Sequence, residues 1–71
     1  MTYEELKMTA ESMERQIAGA AADQRLALQP QFARVLDRMA EQGEPVPARL
    51  RRLEAALVEE VIEARFDNMP V

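Results

Sequence analysis

No cysteine and no histidine occur in this chain of 71 residues. Without cysteine there is neither a disulfide framework nor a thiolate metal site. Without histidine, the commonest metal ligand and the commonest general base are both missing. Glycine and proline are scarce, two and four residues, and only three side chains are aromatic. No Asn-Gly or Asp-Gly turn occurs, and no alternating run of β-branched residues, so hairpins and half-buried strands lack their usual signals. No apolar run approaches the ~20 residues of a membrane span. Basic residues are outnumbered nine to thirteen, giving a net charge of −4. That balance disfavours the broad basic face through which proteins hold nucleic acid or an anionic membrane.

What remains is a helix-forming sequence, 48% hydrophobic. The length sets a single domain, 1–71. A chain this short buries only about 60% of the surface its unfolded form exposes. With disulfides excluded and no histidine to hold a metal, association between chains is the remaining common route to stability, which favours a homodimer. The start, Met1-Thr2-Tyr3-Glu4-Glu5, is acidic where a secretory leader is basic, so a cytoplasmic location is expected. Eight arginines to one lysine suggest a GC-rich, bacterial coding sequence.

The expected fold is all-α, a small three-helix bundle with a long first helix, completed by dimerisation. The first helix is expected over 3–28. Thr2 and Glu5 form a capping box, and Glu4 and Glu5 suit the positive end of the helix dipole. Tyr3, Leu6, Ala10, Met13, Ile17 and Ala20 follow at alternating spacings of three and four, a coiled-coil-like seam. Gly19 costs about 1 kcal/mol relative to alanine, but the surrounding alanines favour a helix running through it. Pro30 marks the next boundary, because proline is tolerated in the first helical turn and disruptive further in. A second helix is therefore expected over 30–42, with Gly43 as its left-handed C′ residue. Leu28, Phe32, Val35, Leu36 and Met39 keep helical phase across Pro30, so a continuous bent helix is the alternative. After the stiff connector Glu44-Pro45-Val46-Pro47, a third helix is expected over 47–66, with a short tail, 67–71.

The third helix carries more apolar surface than one neighbour needs. Leu50, Leu53, Leu57, Val61 and Ala64 form a main stripe. Val58, Ile62 and Phe66 form a second, at i, i+4 and i+8. Together with Met69, these three are the candidate partner-binding residues. The sequence leaves open whether they close the monomer's own core or meet a second subunit. The same helix sorts its charge into Arg49, Arg51 and Arg52 early and Glu59, Glu60 and Glu63 late. Both blocks oppose the helix dipole, each charge by a few tenths to about 1 kcal/mol, so compensating charges are expected nearby. In an up-down-up bundle, Glu4, Glu5, Glu11 and Glu14 lie level with the arginines and Arg25 approaches the glutamates. Two third helices packed antiparallel about a two-fold axis match the blocks equally well.

Chemistry is sparse. Glu59 and Glu63, one turn apart, are the nearest approach to a hard-cation site, but a carboxylate metal centre in a bundle usually adds Glu-x-x-His. The hydroxyls of Thr2, Thr9 and Ser12 have no base to activate them, and there is no phosphate-binding loop. No catalytic residue, metal or cofactor is expected. The sequence points to a non-enzymatic helical interaction module that binds itself and another protein. The alternative is a DNA-binding regulator that presents Arg49, Arg51 and Arg52 from a helix N-terminus, as a helix-turn-helix does.

Overall fold

The computed structural model describes residues 2–67, without the side chains of Phe66 and Asp67. Three helices follow one another: α1 (Tyr3–Ala18), α2 (Ala22–Glu41) and α3 (Ala48–Asp67). The all-α three-helix fold is as expected; its element lengths are not.

α1 opens on the anticipated capping box. Thr2 Oγ1 accepts the Glu5 amide at 3.2 Å, and the Glu5 carboxylate reaches back to the Thr2 amide at 3.4 Å. The helix stops at Ala18, ten residues short of the expected end at 28. The Gly19 amide is shared between the Arg15 and Gln16 carbonyls at 3.3 and 3.2 Å, and Ala20 donates to Ile17 at 3.2 Å. This is the tightened last turn typical of a helix end. Ala21 is then extended, with ψ 165°, and the chain reverses. Burial explains why the alanines do not carry the helix onward. The reversal packs Leu6, Ala10, Met13 and Ile17 against Phe32, Leu36 and Met39, and all seven are buried. Burying each large apolar side chain contributes about 1.5–3 kcal/mol, more than the propensity of a few alanines.

α2 consequently begins at Ala22, not at Pro30, and Pro30 lies inside it. The expected boundary at Pro30 is thus overturned, and the continuous helical phase of Leu28, Phe32, Leu36 and Met39 decides the matter. Pro30 is exposed, so its ring and the carbonyl it deprives of a donor stay off the packed face. The N-cap is weak. Alanine offers no side-chain acceptor, and only the return half of a capping box is made, the Ala21 amide donating to Gln24 Oε1 at 3.4 Å. The other end is conventional. Gly43 has φ +78° and donates to Ala40 at 3.0 Å, the left-handed C′ arrangement foreseen for it.

In the connector, the Tyr3 hydroxyl donates to the Pro45 carbonyl at 3.0 Å, tying the start of α1 to the turn between α2 and α3. The Pro47 carbonyl accepts the Leu50 and Arg51 amides at 3.0 and 3.2 Å, so Pro47 caps α3 from just outside it. α3 adds Leu50 and Leu57 to the core, with Leu53 and Val46 packed at its edge. At about 1.5 Å per residue, α1 is about 24 Å long and α2 and α3 about 30 Å each. The first helix is the shortest rather than the longest. The molecule measures 46 × 22 × 19 Å with a radius of gyration of 13.2 Å, against roughly 11 Å for a compact domain of this size.

Candidate interaction surface

The ion pairs set the register of the helices. Arg49, in the first turn of α3, reaches Glu11 Oε2 through Nη2 at 3.0 Å and Glu14 Oε2 through Nε at 3.3 Å. Both carboxylates belong to the second half of α1. These contacts, with Tyr3 beside Pro45 and the end of α1 beside Glu60, show that α1 and α3 run in the same direction.

At the end of α1, α2 supports α3 through Arg25. Its Nε donates to Glu60 Oε1 at 2.9 Å and its Nη2 to Glu60 Oε2 at 2.8 Å. Its Nη1 donates to the Ile17 carbonyl at 2.9 Å, one of the carbonyls at the end of α1. One guanidinium thus joins all three helices. The hydrogen bonds from Arg25 hold the Glu60 carboxyl below its usual range, with the guanidinium charge adding to the effect and partial burial opposing it. The same bonds raise the already high pKa of Arg25.

The expected arginine block is divided. Arg49 is committed to α1. Arg51 donates to Glu54 on its own helix at 2.8 Å and lies 3.8 Å from Asp37 of α2. Arg52 is exposed and has no ion pair among the described residues. The glutamate block divides in the same way: Glu60 is held by Arg25, while Glu59 and Glu63 are exposed and unpaired among the described residues. Glu11 and Glu14 therefore meet the arginines as the up-down-up arrangement requires. Glu5 serves the α1 cap instead.

The second apolar stripe faces outward. Val58 is 39% exposed and Ile62 46%, while Leu57, next to Val58 in sequence, has no exposed surface. At about 100° per residue, Ala55, Val58 and Ile62 lie roughly a third of a turn around α3 from Leu50 and Leu57. Ala55 is also exposed. Val58 and Ile62 lie outside the buried core, to which α3 contributes Leu50 and Leu57. Phe66 is in α3 four residues beyond Ile62, but its side chain, like the whole of Met69, lies outside the described residues. One further large apolar side chain is exposed among the described residues, Met8 at 68%. Its position two residues from Leu6, off the buried spacing of α1, is the signal for it.

Among the described residues, no group of three or more acidic side chains is placed to hold a metal ion. No helix among them is long and apolar enough to cross a membrane. Comparison with protein-family models, with curated proteins and with solved structures returns no match.

Proposed function

We propose that the chain is a small, non-enzymatic, cytoplasmic interaction module that associates with a second copy of itself through α3 and acts by protein–protein contact. The observation carrying this reading is the exposure of Val58 and Ile62, at 39% and 46%, side by side on α3. The bulk dimensions support it. The accessible surface is 4992 Å² for 8.1 kDa, about 500 Å² more than the roughly 4,500 Å² typical of a folded monomer of that mass. A short domain with no disulfide gains most by covering such surface with another chain.

The DNA-binding alternative draws less support. Arg49 is engaged by two carboxylates and Arg51 by one, with Asp37 close by. That leaves Arg52, beside exposed glutamates, in a chain of net charge −4. Phosphate binding needs several uncommitted cations on one face. Solution mass measured over a wide concentration range tests the self-association reading. It requires a species near twice 8.1 kDa; an 8.1 kDa species throughout would remove it.

A further inference from the structure

We infer that the second copy packs its α3 antiparallel to the first about a two-fold axis near Val58, with Arg52 of each chain paired to Glu63 of the other. This inference rests on the self-association proposed above and specifies its geometry. Four charged side chains of α3 have no ion pair among the described residues: Arg52, Glu59, Glu63 and Arg65. Taking about 100° per residue, Arg52, Glu59 and Glu63 lie within about 40° of one another, along one flank of the Ala55–Val58–Ile62 stripe. Arg65 lies on the opposite flank.

The direction of packing follows from which flanks meet. In an antiparallel helix pair each flank faces the same flank of its partner, whereas in a parallel pair it faces the opposite one. An antiparallel two-fold therefore sets the Arg52–Glu59–Glu63 flank against itself. That is self-complementary, because its cation lies toward one end and its carboxylates toward the other. With the axis at Val58, Arg52 is six residues from the centre, about 9 Å along the helix. This brings it level with residue 64 of the second copy, within one residue of Glu63. Glu59 follows one turn nearer the axis. On the other flank, Arg65 comes level with Arg51 of the second copy, whose charge Glu54 holds at 2.8 Å and Asp37 faces at 3.8 Å, so this flank adds no attraction of its own. Val58 meets its own copy across the axis, and Ile62 lies near Ala55 of the second copy.

The contact is modest. A helix face about 30 Å long and 10 Å wide offers on the order of 300 Å² per chain, below the roughly 800 Å² per partner of a standard interface. The dimer is therefore reversible, and its charges count in its affinity. Sedimentation equilibrium at low salt, from micromolar to millimolar protein, tests the geometry with charge-reversal variants. Arg52→Glu alone and Glu63→Arg alone each place like charges in contact, and each is expected to weaken association about tenfold or more. The double variant Arg52→Glu/Glu63→Arg restores opposite charges and should return to within about threefold of the parent. Both positions are exposed, and circular dichroism on each variant verifies that the monomer fold is unchanged. If the parent dimerises but Arg52→Glu has no effect, or the double variant stays as weak as the singles, the antiparallel pairing is overturned while self-association stands. A parent that is monomeric at every concentration overturns both.

Discussion

Arg25 clasps Glu60 through two parallel hydrogen bonds of 2.9 and 2.8 Å, joining the first turn of α2 to the late part of α3 across thirty-five residues of sequence. The paired geometry of guanidinium and carboxylate is among the stronger charge-assisted contacts.

The clasp makes stability depend on pH in one direction. Glu60 has a folded-state pKa below its unfolded value, so its contribution is complete above the ordinary glutamate range. It is lost as the pH falls through the lowered folded value. Urea unfolding from pH 7 downward should show Glu60→Gln costing about 1 kcal/mol at neutral pH, with the difference from the parent closing in acid. A gap that stays constant into strong acid would contradict the assignment. Arg25→Ala should cost more than Glu60→Gln, because it also strips the Ile17 carbonyl of its donor.

Pro30 should be a reserve of stability. It lies in the interior of α2, where proline is disfavoured by about 3 kcal/mol, and its ring is exposed. Pro30→Ala should raise the denaturation midpoint without changing the denaturant slope. A destabilised variant would mean that α2 does not pass through this position as a regular helix.

The two glycines should respond differently to alanine. Gly43 has φ +78°, where a side chain is strained, and Gly43→Ala should cost on the order of 1 kcal/mol. At Gly19, where φ is −101°, an added Cβ would meet only the Arg15 carbonyl oxygen, at 4.0 Å. Gly19→Ala should change thermal stability by less than about 1 kcal/mol. Equal losses at the two sites would contradict the turn geometry.

Neighbouring positions of α3 should separate folding from association. Leu57 is fully buried, and Leu57→Ala should cost about 2–5 kcal/mol. Ile62→Ser should leave monomer stability within about 0.5 kcal/mol while abolishing concentration-dependent association. Chemical denaturation at low protein concentration, paired with light scattering at high concentration, distinguishes the two effects.

Much of this fold was written in local pattern. The buried set of α1, Leu6, Ala10, Met13 and Ile17, is the seam that the spacing of three and four marks out. Thr2 and Glu5 announce the start of α1, and Gly43 the end of α2. The alternation of charge between helices also carried enough information to anticipate Glu11 and Glu14 beside Arg49, and Arg25 beside Glu60. The turn at Gly19–Ala21 was illegible because nothing local demands it. Four alanines flank Gly19, and the reversal is driven by burial of Ile17 against residues far along the chain. Pro30 misled for the same reason: its cost is local, while the packing of Phe32, Leu36 and Met39 that outweighs it is not. The outward direction of Val58 and Ile62 was illegible because both stripes of α3 are apolar, and only tertiary packing selects the Leu50–Leu57 side for the core.

A second copy of the chain covering the exposed Val58–Ile62 side of α3 makes association depend on Ile62. Sedimentation velocity on the parent and on Ile62→Ser, at matched concentrations up to millimolar, addresses it most directly. The parent mass should rise from 8.1 kDa toward twice that value, while the variant stays at the monomer mass with an unchanged circular dichroism spectrum. A parent that remains monomeric, or a variant that dimerises as well as the parent, would contradict it.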